Sequence, residues 1–251
     1  MNKPIPFSRI GFDLLQAQLI WTLWYLGILV LVNIVRLVFS ADEIDTFYNH
    51  AFVASNVYML VIGIISIYFL PYFVENGITR KNYFYGNIIA SICLSILIPI
   101  IAYVITIFEG LVLSNLKQSM LHAVPDPDTN FIGDIFQSIL LTPHVDMEAN
   151  LLLSLGLFSI NIFGFYLIGW LIGTAFYRLG VIGGLCFIAI SLLIIVAKDS
   201  FLRIAMDHPL FESFSIFEAV PESMALVLVF IILLVPIFLI RLLTKRAPVK
   251  I

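Results

Sequence analysis

Six apolar runs separated by polar stretches constrain this chain more than any other feature. Each run has about the 20 residues that an α-helix needs to cross the hydrocarbon of a bilayer. With 61% hydrophobic and 12% charged residues among 251, the chain has more apolar surface than one soluble core buries. The sequence therefore predicts an all-α integral membrane protein with six transmembrane helices in one domain, residues 1–251. The spans lie near residues 18–39, 52–74, 85–108, 150–176, 181–197 and 223–243.

The basic residues are divided unevenly between the two sides of this predicted bundle. If the N-terminus is cytoplasmic, nine of the thirteen Lys and Arg residues lie on that side and four on the other. The nine are Lys3, Arg9, Arg80, Lys81, Arg178, Arg241, Lys245, Arg246 and Lys250. Because cytoplasmic loops carry an excess of Lys and Arg, we expect both termini to be cytoplasmic.

Amphipathic segments flank the spans. Residues 1–17 are predicted to form an interfacial helix that turns into the first span. Two extracytoplasmic segments, 109–149 and 198–222, interleave apolar and charged residues at helical spacing, chiefly at 133–141 and 201–222. These outer helices either cover the ends of the spans or gate a path between them, and the sequence leaves both open.

Sequence motifs for catalysis are absent. The chain contains no Gly-Lys-Ser/Thr, HExxH or GxSxG sequence, and so has no phosphate-binding loop of the common type. Cys93 and Cys186 lie in apolar runs, which favours buried apolar residues over a disulfide or metal ligands. The outer histidines and acids match no metal-ligand spacing, and we interpret them as solvated loop residues. They are His122, Asp126, Asp128, Asp134, His144, Asp146, Glu148, Asp207, His208 and Glu212.

The span interiors are nearly free of charge. Arg36 lies near the outer end of the first span, and no other charged residue is predicted deep in a span. Since ion-coupled carriers usually place ionisable groups there, this counts against a secondary carrier. Four amides in or near spans either bond between helices or line a polar path: Asn33, Asn56, Asn87 and Asn161.

Small residues and prolines indicate where helices pack closely or bend. Glycines four residues apart let helix backbones approach, and a proline inside a helix removes a backbone hydrogen bond. The predicted packing and kink positions are Gly169, Gly173, Gly180, Gly184, Pro99 and Pro236. Such residues suit static packing and also helices that tilt against one another.

The polar stretch between the second and third spans reads FVENGITRKNYFYG, residues 73–86. It resembles the cytoplasmic loop of ABC-2 type permeases, with the pattern Asn-Gly/Ser-x-x-Arg-Lys-x-aromatic-aromatic-x-Gly running from Asn76 to Gly86. The six spans, the interfacial helix and a short segment with Arg178 after the fourth span are also similar to that family. A plain loop that only satisfies the charge bias of the cytoplasmic side is the alternative.

The resemblance implies the membrane subunit of a bacterial exporter. In that family, the loop corresponding to 75–84 is a coupling helix that docks on a separate ATPase, and two permease subunits pair as a homodimer or a related heterodimer. The implied coupling residues are Glu75, Asn76, Gly77, Ile78, Thr79, Arg80, Lys81, Tyr83 and Arg178.

The size and organisation are similar to those of phenol-soluble modulin exporter permeases, which implies an amphipathic peptide or another hydrophobic molecule as cargo. The chain would lie in the bacterial plasma membrane and would itself hold no cofactor, since ATP and Mg²⁺ belong to the two ATPase copies. No nucleic acid is expected as a partner. The alternatives from the residues are a membrane enzyme or scaffold that uses the acidic outer loops, and a secondary carrier.

Overall fold

Helices make up almost all of the described chain. The structure is a computed structural model that describes residues 7–39, 46–114, 150–208, 210, 212–245 and 247–248. The helices are α1 (Phe7–Phe39), α2 (Phe47–Ser66), α3 (Phe69–Glu75), α4 (Arg80–Ser114), α5 (Leu151–Ala205) and α6 (Glu222–Lys245), and a short 3-10 helix (Glu212–Ala219) lies between α5 and α6.

Five helical stretches are long and apolar enough to cross a membrane. They are Phe7–Arg36, Phe47–Glu75, Arg80–Val112, Leu151–Ala205 and Glu222–Lys245. The prediction of an all-helical, multi-pass membrane protein is confirmed at this level for the described residues.

Helix α5 is too long for one crossing and is broken at Gly180. At about 1.5 Å per residue its 55 residues would span about 80 Å, against about 30 Å of hydrocarbon. Gly180 has φ 74° and ψ −166°, outside the helical region. Lys198 on one side of the break contacts Asn161 and Phe165 on the other. The two legs, 151–179 and 181–205, therefore run antiparallel, and we call them the first and second legs of α5.

Helix α1 runs without interruption from Phe7 to Phe39. The structure thus differs from the prediction of a separate interfacial helix over 1–17, of which residues 1–6 lie outside the described part. Ile10 and Leu14 are fully buried, and α1 packs chiefly against α4. The amphipathic pattern of this segment reflects one face buried on α4, and no proline is present to separate it from the span.

The second crossing is bent where α2 meets α3. Pro71 has no N–H to donate to the carbonyl of Ile67, and in a regular helix its ring would clash with that carbonyl. The chain makes a turn at Ile67 and Tyr68 and then resumes as α3. The predicted kink residues Pro99 and Pro236 lie inside α4 and α6, where both are buried.

Backbone contact between α2 and the first leg of α5 forms the centre of the bundle. A Cβ on Gly63 would lie 2.8 Å from the backbone nitrogen of Trp170, and one on Gly173 would lie 3.0 Å from the Cα of Ile64. Gly169 faces the backbone of Leu60 in the same way. These glycines let the two helices touch without side chains between them. Gly184 packs instead on the Phe176 ring across the break. A Cβ on Gly180 would have nothing within 4 Å, and Gly180 serves to turn the chain.

Two helices extend beyond the predicted ends of their spans. α4 continues past residue 108 to Ser114, and the second leg of α5 continues past residue 197 to Ala205. The residues at the start of the predicted outer segment 198–222 are therefore helical and buried. Within this extension Asp199 and Arg203 form an ion pair one turn apart, at 2.8 Å, a spacing that supports a helix. The predicted outer helix at 133–141 lies outside the described residues.

Candidate functional site

Positive charge is concentrated at one end of the bundle, which we call the basic end. Its basic residues in the described part of the chain are Arg9, Arg80, Lys81, Arg178, Arg241 and Lys245. The guanidinium of Arg241 lies 5.4 Å from the centroid of the Phe84 ring, which joins the end of α6 to the start of α4. The Phe7 and Tyr85 rings are 6.3 Å apart, so the start of α1 lies here as well.

The basic turn, which we define as residues 76–84 from the end of α3 into the start of α4, is fixed by hydrogen bonds. The N–H of Gly77 donates to the carbonyl of Val74 at 3.0 Å, and the N–H of Ile78 donates to that of Phe73 at 2.9 Å. This pair is the Schellman arrangement, in which a glycine with positive φ ends the helix. Gly77 has φ 80°, and the buried side chains of Ile78 and Phe73 occupy the positions whose apolar contact accompanies that arrangement.

Thr79 caps the next helix and thereby fixes where the cations lie. Its Oγ1 accepts from the N–H of Asn82 at 3.2 Å, so α4 begins with Arg80 and Lys81 in its first turn. The start of a helix carries partial positive charge, which disfavours cations there. Arg80 and Lys81 therefore lie where their charges do not stabilise the helix.

Aromatic side chains tie the basic turn to the bundle. Tyr83 is fully buried and its hydroxyl donates to the carbonyl of Ser66 at the end of α2. The Phe84 ring lies 5.4 Å from the Trp170 ring on the first leg of α5. A displacement of the turn would therefore reach both α2 and α5.

The predicted coupling residues divide into an exposed and a buried set. Ile78 and Tyr83 are buried and hold the turn. Arg80 is half-buried, and its Nε has no hydrogen-bond partner in the described structure. The exposed members are Glu75, Asn76, Gly77, Thr79 and Lys81. A separate coupling helix over 75–84 is not present, because α3 ends at Glu75 and α4 starts at Arg80.

Arg178 is engaged within the chain. Its Nη1 donates to the carbonyls of Leu242 and Leu243 at 2.7 and 3.0 Å, near the end of α6. The Tyr177 hydroxyl donates to the carbonyl of Pro248 at 2.7 Å. The carbonyls of Leu242 and Leu243 lie in the last turn of α6, which leaves its carbonyls unpaired, so Arg178 secures α6 to the first leg of α5.

A first group of buried polar side chains joins α1, α4 and α5. Gln18 Nε2 donates to the Tyr166 hydroxyl at 3.0 Å, and that hydroxyl donates to Asn87 Oδ1 at 2.9 Å. All three residues are fully buried. Asn87 is thus an interhelical bonding residue in this structure.

Hydroxyl groups next to this first group connect α1 and α2. Thr22 and Tyr58 hydroxyls are 2.8 Å apart, and the Tyr58 ring stacks on Tyr25 at 4.1 Å between centroids. The Tyr25 hydroxyl then lies 3.1 Å from Ser55 Oγ. The inner faces of α1 and α2 are therefore joined by hydroxyls.

A second group contains charge, which the sequence reading missed. Lys198 is buried and its Nζ donates to Asn161 Oδ1, while Asn161 Nδ2 donates to Asn56 Oδ1 at 2.7 Å. The adjacent Asp199 pairs with Arg203. The prediction that an outer segment begins at residue 198 is wrong at this point, because Lys198 is buried inside the second leg of α5. Because the hydropathy of the fifth run falls at its first charged residue, the sequence reading ended the span there.

The remaining predicted amide, Asn33, bonds at the opposite end of the bundle. Its Nδ2 donates to Glu109 Oε1 at 2.6 Å, and the other carboxylate oxygen accepts from the N–H of Phe47 at 2.8 Å. Glu109 thus caps the start of α2, where negative charge is favourable.

Metal and acid-base candidates are few in the described residues. Within that part of the chain no three His, Cys, Asp or Glu side chains group as a metal site. Of the outer histidines and acids, Asp207 and His208 are exposed at the end of α5. Residues 115–149 lie outside the described structure, as does the side chain of Glu212.

No protein-family model, curated protein or solved structure shows a significant match to this chain.

Proposed function

We propose that this chain is the membrane-spanning subunit of an ATP-driven exporter, energised by a separate ATPase. One observation carries the proposal: the basic turn holds Arg80 and Lys81 rigidly at a helix start that disfavours them. An acidic surface on a partner would offset that cost through charge-assisted contacts. Tyr83 and Phe84 link the same turn to α2 and α5, which gives partner motion a route into the bundle.

The proposed topology has six crossings with both termini in the cytoplasm. The antiparallel legs of α5 supply two of the six, and the shared position of Phe7, Arg80 and Arg241 at the basic end supports an even number. The excess of Lys and Arg at that end supports its cytoplasmic side. We place the protein in a bacterial plasma membrane, as the resemblance to ABC-2 permeases implies.

The proposed assembly contains two permease chains and two ATPase chains, with ATP and Mg²⁺ on the latter. The cargo is an amphipathic peptide or another hydrophobic molecule. The buried hydroxyls and amides around Gln18, Tyr58 and Asn161 support a path with scattered polar groups within apolar walls.

Co-purification tests the proposal. Affinity purification of the tagged chain from its native cells should bring an ATPase with it, identified by mass spectrometry and by vanadate-sensitive ATP hydrolysis. Lys81→Glu should remove the ATPase, whereas Lys245→Glu, which reverses another exposed cation at the basic end, should retain it. An unchanged ATPase yield with Lys81→Glu and with Arg80→Glu would refute docking at this turn.

A secondary carrier is a second candidate, and the buried Lys198 favours it. Ionisable side chains inside a bundle are typical of ion-coupled carriers. Uptake driven by an ion gradient in vesicles free of ATP and ATPase would support this candidate over the first.

A further inference from the structure

Two arginines at the basic end have buried nitrogens without a hydrogen-bond partner. In the described structure, Arg80 Nε at the start of α4 and Arg241 Nη1 near the end of α6 are both shielded from solvent and unpaired. A buried donor of a charged group is costly when it is left unpaired, and such groups in native proteins usually have a partner. A ligand that accepts hydrogen bonds at this point would remove that cost.

The two arginines lie beside one aromatic ring. Arg80 and Phe84 are four residues apart in α4 and so share a face of the helix. The guanidinium of Arg241 lies 5.4 Å from the centroid of the Phe84 ring. Both side chains are therefore within reach of one phosphate group, whose oxygens accept well from guanidinium groups.

The surroundings add a donor and no acidic partner. Thr244, three residues after Arg241 on the same face of α6, is fully buried, and its hydroxyl has no hydrogen-bond partner in the described structure. Among the described residues, no carboxylate forms an ion pair with Arg80 or Arg241. The positive charge at this point is thus available to an anion from outside the chain.

Exposed apolar side chains continue from the arginines toward the middle of the bundle. On α6, Phe238 and Leu234 share the face of Arg241 at helical spacing and are 63% and 61% exposed. On α4, Ile92 lies two turns beyond Phe84 and is 41% exposed. Helix α6 packs chiefly on α5 and has few contacts with α4. A place for an anionic head therefore adjoins a surface for apolar chains, and a phospholipid has both parts.

We propose that Arg80 and Arg241 bind the phosphate of an anionic phospholipid, whose acyl chains lie along the exposed apolar faces of α4 and α6. Basic sites between membrane helices bind such head groups. Both arginines are half-buried, so the phosphate binds at the surface of the bundle and needs no closed cavity. The exposed Lys81 remains available to a protein partner. The lipid site goes beyond the proposed exporter function and does not depend on it.

Native mass spectrometry of the full chain tests the site. The purified protein, in detergent and without an ATPase, is mixed with equal amounts of dioleoyl phosphatidylglycerol and dioleoyl phosphatidylcholine, which have the same acyl chains. At least about fivefold more phosphatidylglycerol should stay bound, because the choline group of the other lipid cancels the charge of its phosphate. Equal retention of the two lipids would overturn the proposal.

Two double variants assign the preference to the arginines. Arg80→Met with Arg241→Met should abolish it. Lys81→Met with Lys245→Met removes the same charge from exposed positions at the same end and should preserve it. An equal loss in both would assign the preference to the general positive charge of the basic end, and the proposal would be wrong.

A milder variant decides if the arginine double variant does not fold. Arg241→Lys keeps the charge and loses the planar fork of the guanidinium, so it should lower the preference for phosphatidylglycerol about threefold or more. An undiminished preference in this variant would contradict binding by Arg241.

The head group alone distinguishes a lipid from a soluble phosphate compound. Glycerophosphoglycerol, which has the phosphate and no acyl chains, is added in about tenfold excess over bound phosphatidylglycerol. It should displace less than about a tenth of the lipid, because it lacks the chains that contact the apolar faces. Complete displacement would assign the arginines to a soluble phosphate compound and refute the lipid site.

Discussion

The basic turn and the buried group around Lys198, which comprises Asn56, Asn161, Lys198, Asp199 and Arg203, hold their cations in different ways. At the turn, backbone bonds of Gly77 and Ile78 and the cap of Thr79 fix the chain, and the Lys81 side chain is exposed. In the buried group, side-chain partners fix Lys198 itself. A rigid backbone with an exposed charge suits the broad surface of a macromolecule. A buried charge on a side-chain network instead joins helices inside the bundle.

Removing the Asp199 carboxylate should have the largest effect. Asp199→Leu removes the buried carboxylate that pairs with Arg203 and attracts Lys198, and we expect a loss of about 3–5 kcal/mol in the free energy of unfolding. Thermal denaturation in detergent measures it. The double variant Asp199→Leu, Arg203→Met should recover much of the loss, since an apolar pair of similar volume replaces an ion pair well. A single variant as stable as the unmodified protein would show that the pair adds nothing.

Removing the amide that holds Lys198 should cost less. Asn161→Leu leaves the ammonium without its acceptor, and we expect destabilisation of about 1.5–3 kcal/mol. Asn76→Leu is the matched control at the basic turn, because its exposed amide bonds only locally. That change should stay within about 0.5 kcal/mol. Equal effects at the two sites would abolish the contrast between a buried and an exposed polar network.

A backbone change should affect the turn more modestly. Gly77→Ala places a side chain at φ 80°, and we expect a loss of about 1–2 kcal/mol although nothing lies within 4 Å of the new Cβ. Gly27→Ala, inside α1 and equally free of neighbours, should instead stabilise the protein by up to about 1 kcal/mol. If both variants melt alike, the left-handed backbone at Gly77 contributes nothing to the turn.

Reversing an exposed cation should leave stability unharmed. Lys81→Glu places negative charge in the first turn of α4, where the helix favours it. The melting temperature should stay level or rise slightly, while association with an ATPase is lost. A variant that melts lower and also loses the ATPase would instead indicate a purely structural lysine.

The sequence predicted the long apolar helices well, because an apolar run of sufficient length is a local property. It missed the burial of Lys198, because a hydropathy average ends an apolar run at a charged residue. The pairing of Asp199 with Arg203 and of Lys198 with Asn161 depends on folding around Gly180, and no local pattern contains it. The sequence showed that residues 73–86 are polar and basic, but it did not show how α3 ends and α4 begins there. Gly77 and Thr79 are the cap residues that end α3 and start α4, and they leave no room for a separate helix.

The break at Gly180 also governs which compartment the end of the chain faces. In a straight α5, the chain after residue 179 would continue outward from the basic end instead of folding back along the first leg. Helix α6 would then run in the opposite direction. Arg241 would stand a full membrane thickness away from Phe84, which it contacts in this structure. The backbone conformation of one residue, Gly180, therefore determines whether the cations of α6 join those of α4 in a single charged face.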